Sequence, residues 1–190
     1  MKMLEIIKKE LKLHNEVSSK MDQLSSSIES IAKLAIRSIE AGGKVVLFGN
    51  GGSASDAQHI AAELVGRYKT SRKGLAAIAL TTDTSALTAI SNDFGYENVF
   101  KRQLEALLNT TDLVIGISTS GNSSNVINAL KYAKNYKAKV VGFSGAQGGE
   151  MNKVCDINLI IPSNDTPRIQ EMHIFVGHTL CHLIDIHFSG

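Results

Sequence analysis

A chain of 190 residues, 43% hydrophobic and 20% charged, is long enough to bury one core and short for two, and it is too apolar to be wholly disordered. Lys and Arg (20) nearly cancel Asp and Glu (18) for a formal charge of +2, and aromatic content is 5% with no Trp. No run of five basic residues appears and few aromatics could stack on bases, so no nucleic-acid partner is expected although a basic stripe could form in three dimensions, and no apolar run nears the roughly 20 residues that span a bilayer.

The first ten residues, Met1 to Glu10, are charged and periodic rather than an uninterrupted apolar stretch, so no signal peptide is expected. Residues 1–41 are predicted helical. Leu4, Ile7 and Leu11, then Leu24, Ile28, Ile31, Leu34 and Ala35, recur at spacings of three and four, and Gly42-Gly43 stops the second run. An α/β core does not need this extension. It is either a packing helix pair or, as we prefer, an oligomerisation surface that covers its apolar stripe against another copy.

Short apolar runs follow: Val45–Phe48, Ala76–Leu80, Leu113–Ile117, Val140–Phe143 and Ile157–Ile161. All but the last lead through polar or Gly-rich residues into a helical pattern. Apolar strands alternating with helices predict an α/β fold, a doubly wound five-stranded parallel sheet flanked by helices. Pro162 is expected to end a strand and Pro167 to start the last helix. With no linker or repeat, residues 1–190 read as one domain, helices over 1–41 and an α/β core over 44–190. Cys155 and Cys181 form no C-x-x-C pair, which suits a reducing cytoplasm.

In such sheets ligands bind beyond the carboxyl ends of the strands, and two loops there attract attention. Gly49-Asn50-Gly51-Gly52-Ser53-Ala54 follows the first strand and matches a loose dinucleotide fingerprint. The ribose-binding acid expected about 20 residues on is missing, since Arg67-Tyr68-Lys69-Thr70 stands there, and no Gly-Lys-Ser/Thr ending marks a nucleotide loop. Ser118-Thr119-Ser120-Gly121-Asn122-Ser123 follows the third strand. Its hydroxyls at a helix start describe a pocket for a phosphate monoester without a Lys or Arg clamp. The plainer alternative is helix capping by Ser123 alone.

His59 and Glu63, at i and i+4, share one helix face and could share a divalent metal or form a surface pair. His178 lies among apolar residues of the last helix, either as a satisfied core histidine or with His182 as a rival i, i+4 metal pair.

Taken together, Phe48–Ser53, Asp56–His59, Glu63–Tyr68, Ser91–Gly95, Gly116–Ser123 and Arg168–His173 resemble the phosphoheptose isomerases of the sugar isomerase (SIS) superfamily, over nearly the whole chain. That resemblance implies the SIS fold and a zinc-containing (Zn²⁺) cytoplasmic homotetramer. Its reaction would convert sedoheptulose 7-phosphate to D-glycero-D-manno-heptose 7-phosphate, towards nucleotide-activated heptose for lipopolysaccharide or capsule. Carried over by position, His59, Glu63, Gln170 and His178 are the implied metal ligands. Asn50, Gly51, Gly52, Ser53, Glu63, Asn92, Asp93, Ser118, Thr119, Ser120, Ser123 and Gln170 are the implied substrate contacts, and Glu63 and His178 the catalytic pair. A replication-initiation regulator similar to the same family lacks counterparts of Glu63 and His178; both are present here, which favours the enzyme over a non-catalytic binding module. Pro167 occupies a slot that is acidic in some isomerases, so that carboxylate's role does not transfer, although Asp165 is near. Gln170 and His178 are also about 12 Å apart along one helix, which leads to the expectation of a site shared between subunits.

Overall fold

The computed structural model describes residues 2–189. Its chain opens with two helices, α1 (Met3–Ser18) and α2 (Ser25–Glu40), joined by a 3-10 turn over Met21–Leu24. The break between the two predicted runs falls at Ser18-Ser19, whose hydroxyls compete with the helical backbone; Ser19 Oγ donates to Glu16 O (3.1 Å). Val17 and Met21 are buried on either side of the bend. Beyond α2, Gly42 takes φ +78°, the left-handed position that favours a glycine after a helix.

The remaining strands and α-helices are β1 (Val45–Gly49), α3 (Gly52–Val65), β2 (Ala77–Ala79), α4 (Thr84–Phe94), α5 (Val99–Leu107), β3 (Leu113–Ile117), α6 (Ser124–Asn135), β4 (Lys139–Ser144), β5 (Ile157–Ile160) and α7 (Thr166–Phe188), with 3-10 turns over Tyr96–Asn98 and Gly149–Lys153. All five strands fall on predicted runs. They pair in parallel in the order β2-β1-β3-β4-β5. β1 and β3 are buried along their whole length, as unbroken apolar runs require when helices cover both faces. On one face Leu47, Ile115 and Phe143 pack with Ile31 of α2, Leu64 of α3 and Val176 of α7. On the other, Val46, Phe48 and Val114 pack with Phe100 of α5 and Leu130 of α6. No helix among the described residues is long and apolar enough to cross a membrane.

One consequence positions the site. β1 and β3 are neighbours, with Gly49 level with Ile117, yet β1 feeds α3 on one face and β3 feeds α6 on the other. The chain therefore parts at their carboxyl ends, which is where an open α/β sheet leaves a crevice.

Candidate functional site

Both loops singled out in the sequence border this crevice. Gly49 has no room for a side chain: a Cβ would lie 2.7 Å from Ser53 Cβ and 2.8 Å from Ile117 O. That close approach carries the chain straight into α3. Gly51, at φ +56°, is the N-cap position. Ser53 N–H donates to Asn50 O and Ala54 N–H to Gly51 O, each at 3.0 Å. Among the described residues, the N–H groups of Gly51 and Gly52 meet no protein acceptor, so they face outwards as unpaired donors at the positive end of the helix.

In the second loop Ser118 N–H donates to Phe143 O (2.9 Å) and Gly121 N–H to Ser118 O (2.9 Å), a tight turn. Gly121 sits at φ +67° and a Cβ there would strike Gly148 O at 2.1 Å. Ser123 occupies the N-cap of α6, but its side chain makes no capping hydrogen bond. It turns instead to Ser118 Oγ at 2.9 Å, and Ser118 Oγ lies 3.5 Å from Ser120 Oγ. Asn125 Oδ1 accepts from Val126 N–H (2.9 Å), which leaves the backbone donors of Ser124 and Asn125 beside three clustered hydroxyls. Thr119 is half-buried, and its carbonyl accepts from Gly145 N–H (3.0 Å).

About two helical turns further on, α3 and α7 run side by side. Gly52 abuts the Gln170 amide, where a Cβ would lie 2.5 Å from Nε2, and Gly177 abuts Ile60, where a Cβ would lie 2.6 Å from Cγ1. Glycine at each contact lets the two helices approach closely. The residue after Gly177 then reaches α3: His178 Nε2 is 3.4 Å from His59 Nε2, and His59 Nε2 is 3.3 Å from Glu63 Oε1. One donor atom from each of the three lies within 4.8 Å of the others. Tetrahedral zinc with bonds of about 2.0–2.1 Å would separate its ligand atoms by roughly 3.3 Å, so the two imidazoles and the carboxylate fit a divalent ion. Glu63 is a quarter exposed and His59 half exposed, so an ion held there stays open to solvent on one side.

Asp56 lies one turn before His59. Burial pushes its carboxyl up to about 6 against the pull of His59, and among the described residues its Oδ2 has no hydrogen-bond partner. Gln170 stands at the other end of the helix contact, eight residues before His178 on the uninterrupted α7. His182 is tilted against Tyr68, with ring centroids 6.1 Å apart, and does not join the His59–Glu63–His178 group. Asn92 and Asp93 are exposed on α4 and hydrogen-bonded to each other (2.8 Å). Asn50 exchanges two 2.9 Å side-chain hydrogen bonds with Asn125 and accepts another from Tyr96 OH (2.8 Å). Asn125 and Tyr96 were not singled out in the sequence. They stand 75 and 46 positions from Asn50, and nothing local marks such a pairing.

A family model described as the SIS domain matches residues 12–145. A phosphoheptose isomerase of Aliarcobacter butzleri is 59% identical over 182 residues, 95% of this chain and 96% of that protein. The structure of a phosphoheptose isomerase from Neisseria gonorrhoeae superposes with TM-score 0.92 at 40% identity, over 97% of this chain and all of that one. Another, from Francisella tularensis, gives TM-score 0.95 at 34% identity over 98% of this chain and all of that one.

Proposed function

This chain belongs to the phosphoheptose isomerase family of SIS-domain enzymes, and from that premise we propose that it converts sedoheptulose 7-phosphate to D-glycero-D-manno-heptose 7-phosphate by proton transfer through an enediolate. The observation that carries this reading is the meeting of His59, Glu63 and His178 on helices whose other ends border the glycine- and hydroxyl-rich loops. His59 is seven residues from Gly52, about 10 Å along α3, and an open-chain heptose phosphate is long enough to reach from a loop to the imidazoles.

The phosphate seats among Ser118, Thr119, Ser120 and Ser123, held by hydroxyls and the free backbone donors of α6. Asn50, Gly51, Gly52, Ser53 and Gln170 contact the sugar, and we assign Asn92 and Asp93 to substrate binding as well. Glu63 takes the proton from C1 as the electron pair forms the C1–C2 double bond and the C2–O π bond opens onto O2; His178 acts as its partner as C2 regains a proton, the O1 proton passes to O2 and the C1–O bond becomes the new carbonyl. His59, Glu63 and His178 would hold Zn²⁺, which when bound would supply Lewis-acid stabilisation to charge on the sugar oxygens. A coordinated carboxylate is a weaker base, so Glu63 would serve as ligand in one state and as proton acceptor in another. Gln170, eight residues before His178 on α7, would join the ligand set where long side chains converge or a neighbouring subunit contributes one.

The active assembly is a cytoplasmic homotetramer with sites at its interfaces. The open side of the His59–Glu63–His178 group and the exposed Phe175 of α7 support such a covering. We take the product to feed nucleotide-activated heptose for lipopolysaccharide or capsule. Incubating the purified protein with sedoheptulose 7-phosphate, with and without chelator, tests the reaction; turnover that chelation suppresses is expected. Glu63→Gln and His178→Gln should each lower kcat by at least about 100-fold, the usual worth of a positioned acid or base, with far-ultraviolet circular dichroism unchanged. Full turnover in both variants would sink the acid–base assignment.

A further inference from the structure

α3 brings His59 and Glu63 and α7 brings His178, so the centre exists only while these two helices keep their relative position. Between α3 and β2 the chain runs from Gly66 to Ala76 without regular structure, which is a poor support unless something pins it. Arg72 does so from within. Its side chain is 2% exposed and its Nε donates to Asp185 Oδ1 of α7 at 2.5 Å. The same guanidinium reaches α3, donating to Glu63 O (3.1 Å) and Leu64 O (2.9 Å), carbonyls in the last turn of that helix, where such groups lack intrahelical partners. Asp185, fully buried, uses Oδ2 to accept the N–H groups of Lys69 (2.8 Å) and Thr70 (3.0 Å). These bonds and the Arg72 hydrogen bond hold its carboxyl below the usual range despite burial, which opposes them.

One guanidinium and one carboxylate thus tie together the end of α3, the irregular segment and α7. The residue immediately before the pinned Lys69 is Tyr68, whose ring stacks on His178 with centroids 5.5 Å apart and planes 23° apart. Among the described residues, neither His59 nor His178 hydrogen-bonds any protein group besides its contacts within the trio. A metal-bound histidine is ordinarily oriented by a hydrogen bond from its second nitrogen. Here the Tyr68 face restrains the His178 ring instead.

We propose that Arg72 and Asp185 are positioning residues for the metal centre, acting through the segment they fold and through Tyr68, which sets the plane of His178. This rests on the metal reading above, and the test separates the two. Metal-free protein is titrated with Co²⁺ and the visible absorption of the bound ion is followed, which needs no turnover. His178→Gln should abolish or grossly weaken the signal. Tyr68→Phe, which keeps the ring, should bind within about twofold of wild type. Tyr68→Leu should bind at least about tenfold more weakly, the usual cost of losing an outer support, with an altered absorption envelope. Asp185→Asn should weaken Co²⁺ likewise; it leaves a buried guanidinium without its counter-charge and is prone to unfold, so Tyr68→Leu carries the decision. Wild-type affinity in Tyr68→Leu beside a dead His178→Gln would overturn the positioning role and spare the metal centre. Undiminished Co²⁺ binding in His178→Gln would overturn both.

Discussion

His173 illustrates how a single buried residue sets a pH limit. It is wholly inaccessible; its Nε2 lies 3.1 Å from Ser144 O, and Nδ1 has no partner among the described residues. Burial drives its pKa down to about 4, with the Ser144 contact opposing the fall. Below about pH 6.5 the unfolded chain takes up a proton that the folded ring refuses, so stability falls with pH until about pH 4, by about 1.4 kcal/mol per unit and ~3 kcal/mol in all. Urea unfolding of metal-free protein at pH 7.5 and pH 5 should therefore show a larger loss in wild type than in His173→Gln, by about 2 kcal/mol. An equal loss in both would remove His173 from the account of acid sensitivity. The sequence marks His173 only as part of the Arg168–His173 run, because burial and the Ser144 contact, 29 positions away, are properties of the folded sheet. Ser123 was legible as a helix start, whereas its turn towards Ser118 depended on how the loop closes. Glu63 and His59 were legible through their spacing, and the meeting with His178 was reached through resemblance.

Between elements, the α3–α7 contact decides whether there is a centre at all. A glycine inside a helix costs roughly 1 kcal/mol against alanine, so Gly177 needs a reason, and Ile60 packed where its Cβ would lie supplies one. Gly177→Val should push α7 off α3, lowering stability by about 1–3 kcal/mol through overpacking and loosening Co²⁺ binding. Ile60→Ala in the same chain should recover part of both losses, read by urea unfolding and Co²⁺ titration of the two single variants and the double. Strand positions were readable because a parallel sheet buried on both faces demands unbroken apolar runs. The α7 start was readable too, since Pro167 falls in its first turn. The support given by Arg72 and Asp185 was not, because an ion pair spanning 113 positions leaves no periodic trace.

At the scale of the whole molecule, the sheet order and the exposed helices matter most. Composition and alternation predicted five parallel strands but not the order β2-β1-β3-β4-β5, which depends on which crossovers the packing permits. The amphipathic opening was legible, and its apolar stripe is still uncovered: Met3 is 84%, Leu4 61%, Ile7 56% and Leu11 58% exposed. A stripe of that kind favours self-association, in line with the proposed tetramer. Leu4→Lys combined with Leu11→Glu should shift the protein to smaller species in sedimentation velocity and reduce turnover with it; a monomer with full activity would remove the interface from the site. Within each copy, the idle cap of α6 has its own effect. Because the Ser123 hydroxyl serves Ser118, the free protein forgoes roughly 1 kcal/mol of helix stability that an anion arriving at the proposed phosphate site would restore, so that filling the site and stiffening that helix would be one event.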